Sequence, residues 1–243
     1  MVEAAQLFTP GIHLVDKPSG PSSHTIVNYF RRQSGIDRIG HTGTLDPLAS
    51  GLLIILVGRE FTRLQEQFLK QDKEYQVTAI LGKSTNTYDS TGSITSSSDW
   101  KQLELITETD VKNALQGFRG SIAQQAPIYS AIKQHGQKLY DKARLGQIVV
   151  PPTRTITIHK LELIAFEKDV KKQVLQITLT VNCSSGTYIR SLVHDLGQVL
   201  GVGAHVSALR RTKIGAFTIT EASEIPGFIW SKEAPDKSIS QSD

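Results

Sequence analysis

The sequence predicts an α+β fold built on a mainly antiparallel sheet. Three patterns carry that prediction. Strand-like and helix-like segments do not alternate regularly, as a doubly wound fold requires. Two strand-like segments, Thr155–Phe166 and the alternating Leu175–Cys183, are separated by a charged turn, Glu167–Lys172, and read as an antiparallel pair. Ile189, Leu192, Val193, Leu196, Val199 and Leu200 then recur at helical spacing.

The remaining elements follow in order. Ile12–Val15 reads as a short strand ending at the turn Asp16-Lys17-Pro18-Ser19-Gly20-Pro21. Ser22 or Ser23 can cap a helix that runs to about Gln33, with Gly35 as its stop. Gly40–Gly51 is a loop punctuated by glycine and Pro47, leading into the buried run Leu52–Val57. Phe61, Leu64 and Phe68 fall at near-helical spacing. Tyr75, Val77, Ala79 and Leu81 share one face of a strand, and Ser84–Asp99 is a polar loop. Thr107 and Asp110 form an N-cap pair ahead of the stripe Val111, Ala114, Leu115 and Phe118. Lys138–Leu145 reads as a short helix, Ala204–Leu209 and Gly215–Thr220 as short strands. The last dozen residues are polar and expected to fray.

Composition narrows the function classes. With 39% apolar residues the chain can bury a sizeable core, and its longest apolar run, Leu52–Val57, is far below the roughly 20 residues that cross a membrane. Met1–Pro10 lacks the basic and apolar regions of a secretory signal. The single cysteine, Cys183, excludes an internal disulfide and fits a reducing, cytoplasmic compartment. Its place in an alternating run marks it as a small buried apolar residue. A net charge of +4 mildly favours a polyanionic partner.

Several familiar motifs fail on their spacing. Gly82-Lys83-Ser84 resembles the end of a phosphate-binding loop, but Val77 stands where that loop needs its first glycine. Gly201-Val202-Gly203 lacks the third glycine and the preceding strand of a dinucleotide site. The histidines are scattered without ligand spacing, and with one cysteine no zinc deaminase signature can be assembled. No cofactor and no metal are expected.

The informative segment is Gly40-His41-Thr42-Gly43-Thr44-Leu45-Asp46-Pro47-Leu48-Ala49-Ser50-Gly51. By itself it reads as a glycine-rich surface turn with Asp46 in an Asx turn before proline. Its continuation into a buried strand holds Asp46 near a rigid scaffold, and its glycines leave room for a bulky ligand.

This segment resembles the catalytic motif of the TruB family of pseudouridine synthases. Further matches follow in the family's order. Asp16-Lys17-Pro18-x-Gly20-x-Ser22-Ser23 is similar to the N-terminal motif, and Lys73-Glu74-Tyr75 to the second. Thr85-Asn86-Thr87-Tyr88-Asp89 resembles the Thr-Asp-Thr-x-Asp loop, with Asn86 replacing the first aspartate. Gln125-Ala126-Pro127-x-Tyr129-Ser130-Ala131 and Leu139-Tyr140-x-x-Ala143-Arg144 resemble an RNA-clasping insertion. Gly186-Thr187-Tyr188-Ile189-Arg190 and Gly203-Ala204-His205-Val206-x-x-Leu209-Arg210-Arg211 complete the set.

The resemblance implies a pseudouridine synthase fold, with a mainly antiparallel mixed sheet flanked by helices. It implies isomerisation of uridine 55 in the T loop of tRNA, with Asp46 as the catalytic residue. A carboxylate is charged at neutral pH without a partner base, so no triad is needed. The uridine must flip out of the folded RNA, at a cost that stacking on aromatic rings offsets. The family supplies Tyr75 and Tyr188 for this, with Tyr75 on the uracil. Without the motifs, both would read as core tyrosines. Arg190 matches the arginine paired with the aspartate, and a carboxylate partner would offset its unfavourable place near a helix start. Leu209 matches a residue lining the uracil pocket, His41 one that fills the space left by the base, and Lys17 one that supports the active-site loop.

Lys133, Lys138, Lys142 and Arg144, mixed with Tyr129, His135 and Tyr140, fit RNA-loop recognition. The implied layout is a catalytic domain over residues 1–220, with its insertion at about 121–152. A tail, 221–243, stands where relatives carry a PUA-like module, which is expected to be absent. The expected partner is the tRNA T arm, bound by a monomer without guide RNA. A tRNA-folding chaperone with incidental catalysis is the alternative. A guide-RNA-dependent subunit like the dyskerin group is disfavoured by the missing module and basic tails.

Overall fold

The computed structural model describes residues 8–130, the backbone of 133–134 and 137–138, and residues 149–230. The chain forms two compact units, Met1–Leu69 with Phe217–Asp243, and Lys70–Ala216.

In the first unit, β1 (Gly11–Lys17) and β2 (Ile39–His41) both pair antiparallel with β3 (Ser50–Val57). Leu52 to Val57 are all buried, so the continuous apolar run is a strand covered on both faces. Helix α1 (Ser23–Ser34) starts where Ser22 accepts the Thr25 amide and stops at Gly35, whose φ of 69° ends the helix in the left-handed region. It buries Ile26, Val27 and Phe30. Two short helices, α2 (Arg59–Thr62) and α3 (Gln65–Leu69), replace the single helix that Phe61, Leu64 and Phe68 suggested.

Residues 221–230 do not trail away. The Asp16 amide donates to Ser223 and the Ser223 amide donates to Leu14. Tyr29 donates to the Pro226 carbonyl and packs edge-on against Phe228. Ile225 is buried. The expected fraying concerns the last dozen residues, which lie outside the described ones.

The second unit is an antiparallel sheet. Its strands are β4 (Lys73–Leu81), β7 (Gly120–Gln125), β10 (Thr153–Asp169), β11 (Val174–Cys183) and β12 (Ala204–Ile214). They run in the order β12-β4-β11-β10-β7. The expected hairpin is β10–β11. Strand β12 is continuous to Ile214 rather than ending at Leu209, because β4 pairs with it from Leu81 back to Lys73.

Residues 120–125 lie where the insertion was expected to begin, yet they form the outer strand β7 against Thr153–Ile158. The polar stretch 84–99 is not wholly loop. It holds a small hairpin, β5 (Lys83–Thr85) with β6 (Ile94–Ser97). Helix α4 (Trp100–Leu105) was not predicted; it buries only Leu103 and so carries no apolar stripe. Helix α5 (Glu108–Gln116) opens on the expected capping box of Thr107 and Asp110.

Helix α6 (Ile189–Val199) packs on β12, β4 and β7. Gly197 lies so close to Gly203 and Ala204 that any side chain there would collide with their backbone. The Gly203 amide donates to the Gly197 carbonyl, closing the turn into β12. Short strands β8 (Lys133–Gln134) and β9 (Gln137–Lys138) pair in the insertion. The expected helix at Lys138–Leu145 and the side chains of 131–148 lie outside the described residues.

Candidate active site

The loop between β2 and β3 carries Asp46 half-exposed between two buried anchors, Leu45 and Ala49. The Ala49 amide closes a turn on the Asp46 carbonyl at 3.0 Å. Apolar anchors on both sides of a half-exposed carboxylate fix its direction without removing it from solvent.

A second loop, 18–23, braces the first. The buried Ser23 hydroxyl accepts the Leu45 amide at 2.8 Å and donates to the Leu45 carbonyl at 3.1 Å. The Gly20 amide donates to the Pro47 carbonyl at 2.7 Å, and Ser19 donates to the Leu48 carbonyl at 2.8 Å. Backbone on both sides of Asp46 is thus held by one neighbouring turn.

Lys17 is fully buried beneath that turn. Its ammonium donates to the carbonyls of Pro18 and Pro21, each at 2.8 Å. The order of support therefore runs from Lys17 to the 18–21 turn to the Asp46 loop. Gly20 has φ of +116°, and a side chain there would collide with the Trp230 indole. His41 ends β2 rather than lying free in the loop, and its carbonyl accepts the Gln65 side-chain amide at 2.9 Å.

The second unit assembles the other expected residues in two groups. On the sheet, Tyr75 pairs with Arg211 and Val77 with Leu209. Facing residues in a ladder share a side, so Tyr75 and Leu209 are diagonal neighbours on one face. Both are largely buried, at 9% and 7% exposure, which leaves each an edge to present.

The other group sits at the start of α6. Tyr188 is the N-cap residue of that helix. Buried Gln124 on β7 holds its backbone from both directions, accepting the Tyr188 amide at 2.8 Å and donating to its carbonyl at 3.0 Å. Two residues on, Arg190 is 5% exposed and forks between the carbonyls of Thr87 at 2.8 Å and Tyr129 at 3.1 Å. Its guanidinium also lies 3.7 Å from the buried Asp89 carboxylate. A cation near a helix N-terminus is unfavourable, and this carboxylate offsets it.

Asp89 itself is locked. One carboxylate oxygen accepts the Thr91 amide and the hydroxyls of Thr87 and Thr91. Asn86 makes a neutral contact, its side-chain oxygen accepting the Ser93 amide at 2.9 Å. Ser23, Gln124 and Asp89 were given no such role in the sequence reading. Ser23 and Asp89 stood inside quoted motifs, whereas Gln124 carries no local signal because its partner is distant in the chain.

No helix among the described residues is long and apolar enough to cross a membrane, and no cluster there has the makings of a metal site. Cys183 is free and buried.

Comparisons with known proteins fall on these same residues. The model described as TruB family pseudouridylate synthase (N terminal domain) matches residues 31–189, which include the Asp46 loop, Tyr75 and Tyr188. The chain belongs to the TruB family. A second model, tRNA pseudouridylate synthase B C-terminal domain, matches residues 190–228. Relatives named tRNA pseudouridine synthase B include that of Corynebacterium jeikeium, 42% identical over 89% of this chain and 70% of the relative. That of Protochlamydia amoebophila is 44% identical over 86% of this chain and 76% of the relative. That of Desulfotalea psychrophila is 42% identical over 89% and 87%. Among solved structures, a Cbf5-Nop10-Gar1 complex holds a chain that is 29% identical, with a TM-score of 0.64. The match covers 88% of this chain and 52% of that one, so this chain spans about half its length. The pseudouridine synthase fold expected from the sequence is therefore the fold observed.

Proposed function

We propose that this protein isomerises uridine 55 in the tRNA T loop to pseudouridine, as a monomer acting without guide RNA in the cytoplasm. The observation that carries the reading is the braced Asp46 loop, in a chain 42–44% identical to proteins named tRNA pseudouridine synthase B. The reaction cleaves the bond from ribose to uracil nitrogen, turns the base, and rejoins it through carbon. Asp46 supplies the carboxylate at the reacting sugar or base. Arg190 supplies the cation that keeps it charged and oriented. Tyr75 stacks on the everted uracil and Leu209, its neighbour on the same face, lines the pocket. Tyr188 adds a second ring at the helix start. His41 fills the space the base leaves, and Lys17 supports the loop. Residues 1–220 act as the catalytic domain, with basic and aromatic residues of the insertion contacting RNA.

The test incubates purified protein alone with an unmodified T-arm stem-loop and maps pseudouridine. Product at the position of uridine 55, with no guide RNA added, supports the reading. Tight binding without product supports the folding-chaperone alternative. Product only on addition of a guide RNA assigns the chain to guide-dependent enzymes instead.

A further inference from the structure

Two side chains of α6, one helical turn apart, grip the same three residues of the 85–91 loop. Residues four apart lie on one helix face. Arg190 takes the Thr87 carbonyl and faces the Asp89 carboxylate. His194 lies flat against the Tyr88 ring, with centroids 3.9 Å apart and planes within 13°. The middle residue of the gripped segment is therefore held by the histidine, the outer two by the arginine.

Tyr88 has φ of 63°, in the left-handed region that side chains other than glycine's rarely adopt. That turn sends two successive carbonyls to different elements. Thr87 faces Arg190, while Tyr88 accepts the Val206 amide of β12 at 3.0 Å. The Ser90 amide then donates to the Val206 carbonyl at 2.9 Å. A relaxed Tyr88 could not serve both. Left-handed backbone at such a residue is strained and persists only where its surroundings hold it.

The histidine is poorly provided for as a polar group. Its Nδ1 is buried without a hydrogen-bond partner. Burial also holds the imidazole below its usual range, so the ring is a neutral aromatic surface at neutral pH. The contact the ring does make is the stack on Tyr88.

We propose that His194 is a positioning residue: its stack on Tyr88 holds the strained turn that fixes the Thr87 carbonyl and Asp89, and through them the guanidinium of Arg190. This inference rests on the reading of Arg190 as part of the site. Without the stack, Tyr88 relaxes, the Thr87 carbonyl swings, and Arg190 loses its fixed orientation. A misplacement of about 1 Å in such a group can cost on the order of a hundredfold in rate.

The experiment compares His194→Ala, His194→Phe, Tyr88→Gly, Tyr88→Ala and Arg190→Ala on the T-arm stem-loop, with amide exchange measured at Ser90 and Val206. His194→Ala should lower kcat about tenfold with KM within about twofold, because orientation and not binding is lost. His194→Phe should recover most of that loss. Tyr88→Gly should outperform Tyr88→Ala, since glycine adopts the left-handed turn freely. Amide exchange at Ser90 and Val206 should be about tenfold faster in His194→Ala. Unchanged exchange and unchanged kcat in that variant overturn the inference, as does a phenylalanine no better than alanine. If Arg190→Ala retains full activity, the reading of Arg190 fails. If Arg190→Ala is inactive while His194→Ala matches wild type, only the positioning role fails. The exchange measurement decides the question even for a variant or a parent without turnover.

Discussion

The Ser23 hydroxyl holds both backbone groups of Leu45, the residue before Asp46, from the first turn of a different element. One side chain thus satisfies a buried donor and a buried acceptor that water cannot reach. Ser23→Ala leaves both unsatisfied, at about 1–3 kcal/mol each. Urea unfolding should show a loss of about 2–6 kcal/mol for the two groups together. Turnover on the stem-loop should fall more than affinity, because the backbone beside Asp46 is freed while the RNA surface is intact. Equal stability and turnover in the variant would contradict the brace.

Lys17 and Gly20 support the same turn in different ways. Lys17→Met leaves the carbonyls of Pro18 and Pro21 without their donor, and Lys17→Arg cannot repair it because the planar guanidinium does not fit a site built for an ammonium. Gly20→Ala strains the backbone at φ +116° and displaces Trp230. Each should lower the melting temperature and turnover together, and Gly20→Ala should also shift tryptophan fluorescence. Wild-type fluorescence and melting in Gly20→Ala would count against this packing.

Asp89 and Arg190 form a buried pair, and Asp89→Ala removes both the carboxylate facing the guanidinium and the acceptor of the Thr87 and Thr91 groups. Asp89→Ala should destabilise the protein by about 3–5 kcal/mol. Arg190→Lys cannot fork between the Thr87 and Tyr129 carbonyls and should lose most activity while remaining folded. Circular dichroism and stem-loop turnover check both. A lysine variant with near wild-type turnover would refute the role of the fork.

Lys73 gives the pH dependence of stability. Burial first, and the Arg211 guanidinium second, push its ammonium down to about 8 from 10.5. Below pH 8 the folded chain carries the full handicap of a buried charge. Between pH 8 and 10.5 the unfolded chain binds a proton that the folded chain has released, so this group's contribution to stability rises with pH. Cys183 acts oppositely but higher. Burial pushes its thiol up to about 11 from 9.0, so its contribution falls with pH above 9. The window from pH 8 to 9 therefore isolates Lys73. Unfolding free energies of wild type and Lys73→Met should diverge in slope there, wild type rising more steeply. Parallel slopes would show that Lys73 is not desolvated.

Much of the fold was legible because local signals agreed. The Ser22 cap and Gly35 stop bounded α1, the Thr107–Asp110 box opened α5, and alternation marked β4 and β11. What escaped lacked such signals. Helix α4 has one buried residue, and the β5–β6 hairpin is mostly serine and threonine with no alternating apolar face. Strand β7 exists because Thr153–Ile158 pairs with it, a partner that no local pattern names. The site was legible as a set of motifs, and its supports were not. The Lys17 contacts to two prolyl carbonyls, the Gln124 clamp on Tyr188 and the seating of Arg190 on Thr87, Asp89 and Tyr129 depend on the folded backbone.

The central claim is that one carboxylate does the chemistry. Asp46→Asn changes a charge with almost no change in shape, on a loop braced by the Ser23, Ser19 and Gly20 contacts. The most direct measurement is therefore single-turnover pseudouridine formation by Asp46→Asn on the unmodified T-arm stem-loop, with affinity measured alongside. Binding within about threefold of wild type and no detectable product is the expected result. Product formed by the asparagine variant at a rate comparable to wild type would contradict the account.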